Sequence, residues 1–281
     1  MSVRDRMVQD LELAGYSEST RSTYVNAVGD LAKFYWRCPS TLEQDELRRW
    51  IDYLRERAHI GASRLVGHMC ALKFFYAKTL GKPELVSFIS LPSRASTLPE
   101  ILSIEEVQRL LSTLREPKYR VFFTTMYATG LRINEACLLQ TGDIDAARGV
   151  IHVRHGKGGK ERLAPLSKRL LELLRAYWKQ VRPAGPWLFP ARRGDRPVIP
   201  VTVRQALNRA VEEAGLDKYV TPHVLRHSFA THLLEAGTDV RIIQVLLGHA
   251  HVDSTSRYAR VSSALIAKAP STLDLLDNRP D

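Results

Sequence analysis

The sequence predicts a mostly helical chain with a small β-sheet, an α+β fold in two parts. Three observations carry this. The first ninety residues show helical periodicity with few strand signals, a proline-containing polar stretch begins at Leu91, and two β-patterned runs flank the glycine-rich GKGGKE further on. At 281 residues the chain exceeds the usual size of one compact domain, which agrees with a division.

In the first part, Ser19 or Thr20 is placed to cap a helix carrying Tyr24, Val28, Leu31 and Phe34 at helical spacing. Helical runs follow around Leu47 to Leu54 and Leu65 to Tyr76, and Gly81-Lys82-Pro83 ends the pattern. The stretch LPSRASTLPEIL reads as a linker. The expected division is residues 1–90, a linker at 91–98, and 99–281.

The second part opens at Ser103, where Ser103-Ile104-Glu105-Glu106 supplies a capping box. VIHVRH and RLAPLS are expected to pair as a hairpin turning at Gly158-Gly159. Helical patterns resume at Lys168 to Val181, Thr202 to Gly215 and Pro222 to Ala236.

Composition bounds the function. Forty-one Lys and Arg against thirty Asp and Glu leave a net charge of +11, which favours a polyanionic partner, nucleic acid first. No single helix gathers the basic residues opposite an apolar face, and no apolar run is long enough to span a bilayer, so no membrane partner is expected. The N-terminal stretch lacks the apolar core of a signal peptide, and Cys38, Cys70 and Cys137 are scattered without a CxxC pair. A reduced, cytoplasmic setting is expected, with neither a disulfide framework nor a zinc site.

Several motifs carry reactive side chains. In TGLRINEACLL, Arg132 and Glu135 lie at i, i+3, where an ion pair can orient the guanidinium. In TPHVLRHSFATHLLEAG, Thr221 and Pro222 start a helix that Gly237 stops, so His223 and Arg226 share a face at its positive end, a setting suited to phosphate. GKGGKE lacks the first glycine and the Ser or Thr of a phosphate-binding loop; its Lys157 and Lys160 are instead placed to meet a DNA groove, one of them to deliver a proton. His227 and His232, five apart, are poorly spaced for shared metal coordination and read as core and surface residues. No metal is expected.

Arg132, Lys157, His223, Arg226, His249 and Tyr258 nevertheless share one chemical logic. Two guanidiniums clamp the nonbridging oxygens of a phosphodiester, a lysine protonates the departing sugar oxygen, and a tyrosine attacks. Because a free phenol has a pKa of about 10, a base such as His223 must help it ionise.

With TGLRINE, GKGGKER, HVLR, LGH and RYARV in this order, the sequence resembles the tyrosine recombinase, or phage integrase, family, with Xer-like spacing from Arg226 to His249 and from His249 to Tyr258. The resemblance covers essentially the whole chain. It implies a helical core-binding domain at 1–90 and a catalytic domain at 99–281, together a C-shaped clamp on DNA. Arg132 and Arg226 are implied to bind the scissile phosphate and Lys157 to be the general acid. His223 is implied as base or proton shuttle, His249 as a hydrogen-bond donor, Glu135 as a supporting residue and Tyr258 as nucleophile. The implied reaction proceeds through a 3′-phosphotyrosyl intermediate and a Holliday junction, between two double-stranded DNA sites held by four protomers, without cofactor. A paralogous recombinase or an accessory DNA-bending protein is a further implied partner, and the nucleoid is the implied place of action.

Arg21, Arg64, Lys73 and Lys160 are candidate DNA contacts. The sequence departs from the family in LGHAHVDSTSRYAR, where His251 and Arg257 add charge beside Tyr258. The RYARV match is similar to mobile-element members and inclines the reading toward a transposon-associated role. The family's docking of its carboxyl tail on a neighbour is implied as well. Two alternatives remain open: an architectural DNA-binding partner, against which the intact Tyr258 counts, and a type IB topoisomerase.

Overall fold

The computed structural model describes residues 1–58, 60–91, 100–154, 161–183, 185–192, 194–248 and 271–276. The chain divides into two compact units, Met1–Ser96 and Thr97–Asp281.

The first unit is helical. Its helices are α1 (Val3–Leu13), α2 (Glu18–Tyr35), α3 (Gln44–Glu56) and α4 (Ala62–Phe74), the last continuing into a wider π turn over Phe75–Thr79. Ser17, not Ser19 or Thr20, caps α2: its hydroxyl accepts from the Thr20 amide, so the helix begins with Glu18 already in its first turn. Strong amphipathicity in α3 sends Leu47, Trp50, Ile51 and Leu54 inward, where they meet Met7, Leu31 and Phe75. Arg21 is engaged in an ion pair with Glu12, Lys73 donates from Nζ to the Ile89 carbonyl at 3.2 Å, and Arg64 is exposed.

The second unit is built around one buried helix. Its first helix, α5 (Ile104–Thr113), opens with the expected box, since Ser103 and Glu106 cap each other reciprocally. Helix α6 (Pro117–Thr129) follows and is buried on nearly every side. Its threonines survive burial because their hydroxyls return to the preceding turn, Thr124 to the Arg120 carbonyl and Thr125 to that of Val121, both at 2.8 Å. Around it lie the short α7 (Ile133–Cys137), a three-stranded antiparallel sheet, α8 (Lys168–Val181), α9 (Pro200–Glu213), α10 (Pro222–Glu235) and α11 (Val240–Leu247).

The sheet runs β1 (Ile144–Asp145), β2 (Val150–Val153), β3 (Arg162–Pro165) in spatial as in chain order. The hairpin is present, but its register pairs Val153 with Arg162, two residues away from the Val153–Ala164 pairing that a two-residue Gly158-Gly159 turn would set. A two-residue shift leaves every side chain on its original face. The helix expected at Thr202 begins two residues earlier, because Pro200 occupies its first turn and lacks only an N–H that the helix would not use.

Residues 271–276 lie against their own unit: Thr272 is buried and donates to the Tyr127 carbonyl at 3.0 Å, while Arg169 donates to the Leu273 carbonyl at 2.6 Å. Among the described residues no helix is long and apolar enough to cross a membrane.

Candidate active site

Two helix C-termini and one helix N-terminus converge in the second unit. Helix α6 ends at Gly130, whose φ of +63° is a left-handed cap that an L side chain adopts only at a cost, and α11 ends likewise at Gly248, with φ +61°. Carbonyls left free at those ends carry the negative pole of each helix. Arg226, one turn into α10, fills the gap between them, its Nη1 donating to the Gly130 carbonyl and its Nη2 to that of Leu247. A guanidinium has five donors, so three remain.

Two residues after Gly130, past the buried Leu131, comes Arg132. It is the N-cap of α7 and not a residue within a helix, with an extended backbone of φ −72° and ψ 152°. Glu135, three residues on, folds back so that its Oε2 accepts from the Arg132 amide and its Oε1 from Arg132 Nη1, both at 2.8 Å. The i, i+3 pair read from the sequence is thus a buried capping arrangement: the Glu135 side chain is 2% exposed and that of Arg132 23%. Arg132 Nη2 also reaches the Gly248 carbonyl at 3.4 Å.

A third guanidinium was not singled out from the sequence. Arg162, the first residue of β3, donates from Nη2 to Glu135 Oε2 at 2.6 Å with its side chain only 9% exposed. A signal for it did exist. Val153 faces the core, and strand alternation puts Arg162 and Ala164 on that same face in either register, so a charge there must find a buried partner. Arg226 Nη1 stands 4.0 Å from the same Oε2, so three guanidiniums surround one carboxylate.

The titration of these groups follows from the crowding. Burial alone would raise the Glu135 carboxyl, but Arg162, then the backbone and side chain of Arg132, together hold it below the usual carboxylate range. Burial, reinforced by Arg132 and Arg162, pushes Arg226 down to about 9, which leaves it charged at neutral pH. His223 is exposed on the first turn of α10, which Thr221 caps. Partial desolvation and then His227, Arg226, Arg132 and Arg204 lower its pKa, so the imidazole is neutral at pH 7 and free to accept a proton. Arg204 on α9 is a second cation of this environment that the motifs did not point to.

His227 is exposed, whereas His232 is buried with its Nδ1 2.8 Å from the Tyr127 hydroxyl. Among the described residues no group of three His, Cys, Asp or Glu side chains is arranged to hold a metal. The structure therefore brings Arg132, Glu135, His223 and Arg226 into one neighbourhood. Lys157, Lys160, His249 and Tyr258, with His251 and Arg257, lie outside the described residues.

Comparison with known proteins places the chain in a family. Residues 100–264 match the phage integrase family, and residues 3–84 match the phage integrase N-terminal SAM-like domain. The chain is 39% identical over 275 residues to the integrase/recombinase y4qK of Sinorhizobium fredii, covering 98% of this chain and 89% of that protein. It is 37% identical over 273 residues to the tyrosine recombinase XerA of Pyrococcus furiosus, covering 95% and 92%. Among solved structures, a XerA recombinase aligns over 99% of both chains at 27% identity and a TM-score of 0.51. The fold is also similar to that of the Tn1549 transposon integrase in complex with circular-intermediate DNA, with a TM-score of 0.69 at 20% identity and coverage of 92% and 95%. The chain belongs to the phage integrase family and is a tyrosine-type site-specific recombinase.

Proposed function

We propose that this chain cleaves and rejoins double-stranded DNA at its own recombination site, with Tyr258 as nucleophile and Arg132 and Arg226 as the clamp on the scissile phosphate. The observation that supports it most is the meeting of Arg132 and Arg226, 94 positions apart, on one buried carboxylate, with Arg226 Nη1 4.0 Å from Glu135 Oε2. Guanidiniums with donors to spare, at a site whose described charges sum to a strong positive potential, suit a phosphodiester.

In the proposed reaction the Tyr258 oxygen attacks phosphorus and its proton passes to His223, whose depressed pKa leaves it neutral for that task. The bond from phosphorus to the 5′ oxygen breaks, and that oxygen takes a proton from Lys157. Arg132, Arg226 and His249 hold the nonbridging oxygens as charge accumulates on them. A 3′-phosphotyrosine remains, and a 5′-hydroxyl from a partner strand reverses each step, so bond energy is conserved. Exchange of two strand pairs passes through a Holliday junction and is assigned to four protomers on two sites, with a paralogous recombinase or a DNA-bending protein as a further partner. The helical first unit is assigned to core DNA binding, with the exposed Arg64 as a candidate contact, whereas Arg21 is engaged by Glu12.

The test is a plasmid carrying two copies of DNA taken from the flanks of the gene. Recombinant circles with the wild-type chain and none with Tyr258→Phe are expected. Relaxation of any supercoiled plasmid, with no dependence on those flanks, would assign the chain to topoisomerase chemistry instead.

A further inference from the structure

Arg162 has no part in the reaction just described, yet it is held more deeply than Arg132. Its Nε and Nη1 are buried and find no acceptor among the described residues. A Cβ on Gly248 would lie 2.7 Å from Arg162 Cδ and 3.0 Å from its Nε, so the chain at Gly248 passes directly against this side chain. With its side chain 9% exposed against 23% for Arg132, Arg162 is the less open of the two to a bound phosphate.

Its effect is instead on charge. A carboxylate shared only between Arg132 and Arg226 would cancel much of the positive charge those two present to DNA. With Arg162 on Oε2 at 2.6 Å, Glu135 is neutralised by a guanidinium that is walled off from solvent, and two full positive charges remain on the residues beside it. A phosphodiester carries one negative charge and its pentavalent transition state two, so this match favours the transition state. Arg162 also occupies the oxygen toward which Arg226 would otherwise be drawn, which keeps Arg226 on the Gly130 and Leu247 carbonyls.

We propose that Arg162 is a positioning residue of the recombinase: it neutralises Glu135 and thereby leaves the charge and the placement of Arg132 and Arg226 to the scissile phosphate. This rests on the assignment of those two arginines as the phosphate clamp.

The experiment is a double-mutant cycle on the full chain, reading single-turnover cleavage of a nicked fragment carrying the recombination site, at saturating protein, with DNA affinity measured separately. Arg162→Met should slow cleavage by about 30-fold, less than the roughly 10²–10³ lost when a direct contact to the transition state is removed because Arg162 acts through Glu135, while affinity changes little. In a Glu135→Gln background the same change should cost less than about 3-fold, because no carboxylate remains to be neutralised. Arg162→Lys, which keeps the charge, should restore most of the rate and serves as the deciding variant where Arg162→Met does not fold. Equal losses in both backgrounds, or a lysine variant as slow as the methionine one, would overturn the proposal. A wild-type chain that forms no covalent adduct would instead overturn the clamp assignment on which it rests.

Discussion

Gly130→Ala is the substitution whose cost the structure fixes best. The backbone there is left-handed, φ +63°, and an L residue in that region costs about 1–2 kcal/mol. The added Cβ would lie 2.6 Å from Cδ1 and Cε1 of Phe229 and 3.2 Å from Cδ2 of Leu247, well inside ordinary carbon contact. Phe229 is fully buried, so a further penalty of about 1–3 kcal/mol for overpacking applies. Together these give about 2–5 kcal/mol, or a fall in Tm of about 4–20 °C for a unit of this size. Gly142 is the control, since a Cβ there meets nothing within 4 Å and its φ is not positive; Gly142→Ala should leave Tm unchanged or slightly raised. The assay is calorimetric unfolding of both variants beside the wild type, with cleavage measured well below either transition. Because the Gly130 carbonyl holds Arg226, the alanine variant should also cleave more slowly while still folded. A Gly130→Ala chain within 1 °C of wild type that cleaves at full rate would refute the role given to this cap.

Three further outcomes are expected. Glu135 has a depressed pKa in the fold, so its contribution to stability is present above the unfolded value near 4.3 and is lost as pH falls through the folded one; Glu135→Gln should be less stable at pH 7 yet lose less between about pH 5 and 3, and urea midpoints that run parallel in the two chains would contradict this. His227 helps to depress His223, so His227→Gln should move the acid limb of the cleavage rate to higher pH, and an unmoved limb would detach His223 from that step. Tyr127→Phe removes the hydroxyl that meets buried His232 at 2.8 Å and should cost about 1–3 kcal/mol in denaturant unfolding, with no change expected in DNA affinity.

Local signals were the legible ones. Ser103 with Glu106, Thr221 with Pro222, and the apolar spacing from Lys168 to Val181 each act within a single helix, and each stands where the sequence puts it. The ordered motifs likewise carried the family, because chemistry constrains residue type and order more tightly than packing does. Helix α6 offers no period to read, since a helix buried on nearly all sides has no polar face to set one. Arg226 illustrates a different limit: its partners are carbonyls at residues 130 and 247, and no local pattern brings two distant helix ends together. Arg162 opens the RLAPLS strand run and carries no motif of its own, so its role shows only where its strand face meets the buried Glu135. Arg21, a candidate DNA contact from the sequence, is engaged by Glu12 across the α1–α2 corner, a pairing that spacing alone does not reveal.

The central claim is that a phosphate held by Arg132 and Arg226 is attacked by Tyr258. Its most direct test is to trap the chain on nicked DNA fragments from its genetic neighbourhood, digest the denaturation-resistant adduct, and map the nucleotide-bearing peptide by mass spectrometry. The account predicts a nucleotide remnant on Tyr258, attached through a 3′-phosphate, and no adduct with Tyr258→Phe. A remnant on any other side chain, or an adduct that survives in Tyr258→Phe, would contradict it.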